Sequence, residues 1–472
     1  MMDIIMYGAA IVAILIIVYM LIKQMDIKIT LFFIGIALMF IAIAMGNGIS
    51  IKDFESTGAV WLDPLLAIVN QFKSTLTSAG FIILVLGGYT AYMSHIKAND
   101  VTVNVITKPL GKIKSVYILV PVVFLLGNLL SLVIPSASNL AIILLATLFP
   151  VLRKTGMSTL SAAAIIATSA TIIPTPLGGD NVAVATELAQ HAAFANMTVT
   201  DYVFRYHALV SIPTLLVIAV AHYFWQKRMD KKMGTEAGEL EAELKDIKLV
   251  EGGKLFTFVY ALLPVLPILF LIAVFILQSV SDIKIDVSVE IVALLSFAIA
   301  IVCELVRHRK TKEVLNGTEH FFKGMGNAMP IVALLVAASV FVTGLKSIGM
   351  IKALEQAMIG IQGSSLGFVL PLILVAMTAL IVILSGSGTA LFYSMVPLIV
   401  PLAAAAGINP IAVSIPMGLA GNLLRAVSPV AAVILIVAGS VKKSPIEIVK
   451  RTSVPMIVGV VFMFILSMIF FL

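Results

Sequence analysis

The sequence predicts an all-α polytopic membrane protein made of two repeated halves. Three observations carry this: a composition poor in charge, apolar runs of membrane-crossing length, and matched segments at one fixed offset. Of the 472 residues, 61% are hydrophobic and 12% charged, roughly half the charged share of a soluble domain. A water-soluble globule of this size still needs a polar skin, so the apolar surface faces lipid.

The apolar runs fall at residues 4–22, 30–46, 79–96, 116–134, 137–152, 158–178, 205–225, 255–280, 287–306, 327–345, 366–384, 388–406, 409–439 and 454–472. Many approach the ~20 residues that cross the hydrocarbon core, which predicts about 12 to 14 hydrophobic elements. The first run lacks a basic leader and a small-residue cleavage site, so it is expected to be a retained helix. Residues 226–254 interrupt the pattern with Lys227, Arg228, Lys231 and Lys232, then Glu236, Glu239, Glu241 and Glu243. Basic residues beside the membrane mark the cytoplasmic side, so this segment reads as a cytoplasmic linker between halves at 1–225 and 255–472. A second basic loop, Arg307 to Lys323, is expected in the same compartment. Lys442, Lys443, Lys450 and Arg451 read as edge charges before the last span, which puts the C-terminus outside.

The halves match. Moving Thr90-Ala91-Tyr92-Met93-Ser94-His95-Ile96-Lys97 forward by 249 residues gives Ser339-Val340-Phe341-Val342-Thr343-Gly344-Leu345-Lys346. The same offset carries Ser136-Ala137-Ser138-Asn139 onto Ser385-Gly386-Ser387-Gly388. Two separated matches at one offset indicate a duplicated unit, the usual architecture of secondary transporters, often with the halves inverted. In such folds the site lies near the midplane, where helices are interrupted.

Four interruptions stand out. Pro135 to Asn139 and Ser385 to Thr389 offer hydroxyls and freed backbone groups suited to a carboxylate, although small-residue packing also accounts for the glycines. Thr168 to Asn181 holds two prolines, two glycines and Asp180. Ala420 to Pro429 holds Arg425, which has no other charge within fifteen residues on either side. A lone intramembrane cation is a functional-site hypothesis and pairs well with carboxylates; the rival reading is a structural ion pair with Asp180. His95, His191, His207 and Glu187 are further titratable groups, each equally readable as an ordinary polar residue.

Other chemistry is not indicated. The single cysteine, Cys303, rules out an intrachain disulfide and a cysteine-built metal site. The net charge of +7 reflects basic loops rather than nucleic-acid affinity. No zinc spacing, phosphate-cradling loop or nucleophile elbow is present, so neither an enzyme nor an ATP-driven pump is expected, and no cofactor is implied.

Longer stretches resemble a known family. Ala91 to Asp100, Leu145 to Pro150, Gly179-Asp180, His222 to Gln226, Gly386 to Gly388, Asn422 to Arg425 with Ser428-Pro429, and Val449 to Pro455 are similar to the anaerobic C4-dicarboxylate uptake family, type C. The resemblance runs nearly the whole length. It implies a multi-pass bacterial inner-membrane carrier for fumarate and succinate, working by uptake, exchange or succinate efflux. It also implies the ion-transporter superfamily fold, with re-entrant hairpins near 75–110 and 325–360, broken helices, an elevator mechanism and a homodimer.

The resulting expectation is a secondary carrier without catalytic or metal residues. Ser136, Ser138, Asn139, Ser385, Gly386, Ser387, Gly388, Thr389, Asn422, Arg425 and Ser428 bind the dianion, with Arg425 as the main positive charge. Asp180, Thr171, Thr175 and His95 are candidates for a coupling proton or sodium ion. A carrier of another small organic anion or of an amino acid is the alternative; an intramembrane enzyme and a channel are weaker ones.

Overall fold

The helices break where the sequence interrupts its apolar runs. The computed structural model describes residues 2–23, 25–51, 54–113, 115–233, 253–281, 287–353 and 367–472. Most of the 226–254 linker, and the end of the region expected to form a hairpin at 325–360, lie outside the described residues. Helices α1 (Met2–Ile22), α2 (Ile27–Ala44), α3 (Asp63–Thr75), α4 (Phe81–His95) and α5 (Ala98–Thr107) come first. Then follow α6 (Val116–Ser131), α7 (Ala137–Thr147), α8 (Phe149–Lys154), α9 (Thr159–Ala167), α10 (Gly179–Ala189) and α11 (Ala208–Met233). Beyond the linker come α12 (Lys254–Leu262), α13 (Leu266–Val280), α14 (Val289–His308), α15 (Thr311–Gly317) and α16 (Glu319–Ser347). The chain ends with α17 (Val369–Ser385), α18 (Thr389–Met395), α19 (Ile399–Ala406), α20 (Ile411–Arg425), α21 (Ala432–Ser440) and α22 (Pro445–Phe471).

Among the described residues, eight helical stretches are long and apolar enough to cross a membrane, and five shorter apolar helices accompany them. These pack as two bundles. In the first, α16 is wrapped by α2, α3 and α4, with α14 against α4 and α12 against α5. In the second, α11 and α20 pack on α22, α6 on α11, α17 on α20, and α21 on α7 and α9. Each bundle takes elements from both sides of the linker. They meet where α4 touches α10, α5 touches α7 and α16 touches α18.

Lipid supplies no hydrophobic drive between helices, so close van der Waals contact between small residues holds them. The first bundle follows this rule. A Cβ added at Gly344 of α16 would stand 2.8 Å from the Gly35 carbonyl oxygen of α2. One added at Gly324 would stand 2.6 Å from the Gly87 carbonyl oxygen of α4. A larger residue at either crossing would push α16 outward.

The second bundle adds a buried ion pair. Gln226 and Asp230, one turn apart on α11, share a face. They meet Arg451 of α22, with its guanidinium 2.6 Å from the Asp230 carboxylate and both side chains 2% exposed. Ser158 and Ser161, at the start of α9, donate hydroxyls to the same carboxylate at 2.7 and 3.0 Å. Gln226 closes the group by donating to the Arg451 carbonyl at 2.9 Å. Arg451, read from sequence as an edge charge, is therefore interior, because Asp230 on a neighbouring helix neutralises it.

Candidate functional site

Four helix interruptions shape the site, and each has a local cause. Between α6 and α7, Ser136 takes an extended backbone and its hydroxyl accepts the Asn139 amide at 3.4 Å, a helix N-cap. Between α17 and α18, Gly386 has φ +76°, and a Cβ there would lie 2.7 Å from the Val430 carbonyl oxygen. Glycine suits both the left-handed turn and the close approach. Between α20 and α21 the chain turns at Ala426 to Ala431, and Ser428 donates its hydroxyl back to the Ile383 carbonyl at 2.8 Å. Between α9 and α10, Pro174 and Pro176 remove backbone donors.

The α9–α10 break is fully buried over much of its length, so its backbone needs internal partners. Two asparagines supply them. Asn128 of α6 accepts the amides of Thr171 and Ile172 at 3.0 and 3.1 Å and donates to the Thr168 carbonyl at 3.2 Å. Asn181 donates to the Ile173 and Thr175 carbonyls at 3.0 and 2.9 Å. The loop is thereby fixed, and Gly178 to Asp180 emerge from it in one position.

These ends open on a cavity of about 870 Å³ between the two bundles. The second bundle contributes Ser136, Asn139, Asp180, Thr389, Asn422 and Arg425. The first contributes, from α4 and α16, Thr90, Ser94, His95, His320 and Asn327. Arg425 donates one guanidinium hydrogen to the Ala170 carbonyl at 2.8 Å. Asn422, one turn earlier, donates to the Asp180 carboxylate at 3.1 Å. The lining therefore carries two cations, Arg425 and Lys97, one carboxylate met by an amide, and several hydroxyls. Such a surface can receive a small anion through paired N–H donors.

Of the residues singled out in the sequence, Ser136, Asn139, Gly388, Thr389, Asn422, Arg425, Asp180 and His95 come together here. Others are engaged inside the loops. Thr171 donates its hydroxyl to the Thr168 carbonyl at 3.0 Å, Thr175 accepts the Leu177 amide at 3.2 Å, and Ser428 ties two breaks together. Ser385 donates to the Ser387 carbonyl at 3.0 Å, which closes the Gly386 turn. Ser138 lies within the first turn of α7. Sequence reasoning did not single out His320, Asn327 or Tyr393 as cavity residues, nor Asn128 as the loop's anchor. A polar side chain inside an apolar helical run was the available signal for Asn128 and Asn327.

The family described as "C4-dicarboxylate anaerobic carrier", DcuC, matches residues 5–472. The chain is 38% identical over 439 residues to the anaerobic C4-dicarboxylate transporter DcuC of Escherichia coli K12, covering 91% of this chain and 89% of that protein. It is 37% identical over 431 residues to the probable anaerobic C4-dicarboxylate transporter DcuC of Vibrio cholerae, covering 90% and 89%. Two solved structures share the fold at 16% identity. Neisseria gonorrhoeae MtrF, described with a class of antimetabolite efflux pumps, has a TM-score of 0.63 over 96% of this chain and 97% of its own. The Alcanivorax borkumensis YdaH transporter has a TM-score of 0.69 over 94% and 97%.

Proposed function

This chain belongs to the family of anaerobic C4-dicarboxylate carriers, and from that premise we propose that its inter-bundle cavity binds a C4 dianion such as fumarate or succinate. It is a multi-pass transporter of the bacterial inner membrane and not an enzyme. The observation that carries the substrate reading is Arg425, a cation on the cavity wall beside two helix breaks. One carboxylate of the dianion meets the guanidinium and the Asn422 amide. The other meets the Ser136 hydroxyl, Asn139 and the backbone and hydroxyl at Gly388 and Thr389, where helix starts offer free N–H groups. Ser138, Ser385, Gly386, Ser387 and Ser428 shape the loops that present those groups.

In this reading the second bundle, with the site, moves against the first as an elevator and carries substrate by exchange or with a coupling ion. Asp180 is the candidate for a proton or sodium ion, with Thr171 and Thr175 setting its loop and His95 as a second proton candidate. The halves 1–225 and 255–472, joined by 226–254, are inverted repeats, and two such chains form a homodimer. Support for the repeat comes from matching helix starts. Thr198 with Asp201, and Ser444 with Glu447, form the same capping box at the head of a long span.

The test is counterflow of labelled succinate in proteoliposomes, with Arg425→Ala beside the unaltered protein. The expected result is loss of saturable succinate uptake in the variant, while the detergent-purified protein stays monodisperse. Uptake at normal affinity in the variant would refute the assigned site, and competition by amino acids rather than dicarboxylates would refute the assigned substrate.

A further inference from the structure

The cavity has two polar walls, and the reading above uses only one. Pockets of ~300–1,000 Å³ ordinarily hold drug-sized ligands, so about 870 Å³ is generous for a C4 dianion. On the first bundle, at the end of α4, the His95 ring stacks on His320 of α16, with centroids 3.7 Å apart and planes 12° from parallel. Both rings line the cavity. Gly317 makes room for the stack, since a Cβ there would lie 3.0 Å from His95 Nε2.

We propose that the His95–His320 stack is a second, proton-gated carboxylate station that receives the dianion on its way to Arg425. The inference rests on the carrier reading and adds a site to it. The proton's position follows from hydrogen bonding. His320 Nδ1 lies 3.1 Å from the Gly317 carbonyl, which only accepts, so Nδ1 carries hydrogen and Nε2 is the ring nitrogen left to take a further proton. Two imidazolium rings in face-to-face contact repel, so the pair takes one proton at a time.

The charges around the pair leave that proton's charge to the ligand. On α14, Glu304 is engaged by the Tyr260 hydroxyl from α12, by Arg307 at 3.6 Å and by His308 at 3.4 Å. Glu313 on α15 pairs with Lys310, and Glu319 on α16 pairs with Lys323, each at 3.1 Å. Lys97, after the end of α4, pairs with Asp100 of α5 at 3.6 Å. Among the described residues, no carboxylate sits within ion-pair distance of either stacked ring. Behind His95 a second cavity of about 130 Å³, lined also by Glu304, His308 and Glu313, has room for a few waters at ~30 Å³ each.

The sign of the pH effect follows. The protonated imidazole is the form that binds a carboxylate, so the station is present in acid and lost as pH rises. Fumarate suits the test because its carboxyls are both ionised above about pH 6. In proteoliposomes the KM for fumarate should climb as pH rises, by up to about ten-fold per pH unit once the pair is neutral. His95→Gln with His320→Gln should give a high KM that no longer depends on pH. A purely structural role would reduce the amount of folded carrier while leaving the slope unchanged, and a slope equal to that of the unaltered protein overturns the proposal. Thermal stabilisation of the unaltered protein by fumarate, stronger at pH 6 than at pH 8, is a reading that needs no variant; equal stabilisation overturns it. Absence of saturable fumarate counterflow at every pH overturns the carrier reading as well, whereas normal counterflow with a flat KM overturns the station alone.

Discussion

Arg425 and Arg451 sit on neighbouring helices, α20 and α22, and accommodate a charge inside a membrane protein in opposite ways. Arg451 is 2% exposed, 2.6 Å from a carboxylate that is equally buried, and in reach of Ser161 and Gln226 at 3.3 and 3.4 Å. Its charge is cancelled within the second bundle. Arg425 gives one hydrogen bond to a neutral carbonyl and otherwise borders the cavity. A guanidinium has five N–H donors, so geometry leaves Arg425 able to take a carboxylate and Arg451 unable to. The difference shows that an intramembrane arginine is read by the company it keeps in space. Isolation in sequence is a proxy for that company, and among the described residues no carboxylate forms an ion pair with Arg425 as Asp230 does with Arg451.

The comparison breaks most visibly when Arg451 is removed. Arg451→Ala leaves Asp230 charged and without its partner inside the bundle, and losing one member of a buried pair costs about 3–5 kcal/mol. The expected outcome is a collapse in the yield of monodisperse protein, partly restored when Asp230→Ala is added, because the double variant buries no charge. A single variant as stable as the parent would mean that the pair is not structural. A smaller effect is expected at the cavity. Arg425→Lys keeps the charge but loses the planar fork that meets both oxygens of a carboxylate. Its KM for succinate should rise about ten-fold or more, the size of one charge-assisted hydrogen bond at ~1.5–3 kcal/mol, with the melting temperature little changed. An unaltered KM would reduce Arg425 to a general positive field.

The fold class was legible because composition and run length are properties of the chain itself. The candidate site was legible mainly on one wall, and on the other only at His95. Ser136, Asn139, Asp180, Gly388, Thr389, Asn422 and Arg425 belong to helix breaks, and prolines, glycines and hydroxyls announce a break locally. The opposite wall gives no such notice. His320 and Asn327 lie on the unbroken helix α16, where a polar residue looks the same whether it faces a cavity, lipid headgroups or solvent. Their side of α16 is set by Gly324 docking on Gly87 of α4, a long-range contact that no local pattern encodes. Asn128 was hidden for a related reason, since it serves a loop some 40 residues further along the chain. Arg451 was misread because four basic residues before a span look like an edge cluster until Asp230 is brought beside one of them.

The smallest effect sharpens the comparison from the surface. Lys28 and Asp26 form an ion pair at 3.0 Å before and within the first turn of α2, with side chains 34% and 52% exposed. Its distance resembles that of the Arg451 pair, and its burial does not. The hydrogen bond from the Lys28 side chain holds the Asp26 carboxyl below its ordinary value of 3.8, so what the pair contributes is present at neutral pH and is lost as pH falls below that value. Water and salt screen the two charges, and ordering two mobile side chains offsets much of the attraction. Asp26 also accepts the Lys28 backbone amide at 2.9 Å as the cap of α2, and Lys28→Ala preserves that bond. The variant should therefore change stability by less than about 1 kcal/mol, measured as a shift in the unfolding midpoint at pH 7, with succinate uptake unaltered. A loss as large as that of Arg451→Ala would show that pairing distance, and not burial, decides which of these arginines and lysines the fold depends on.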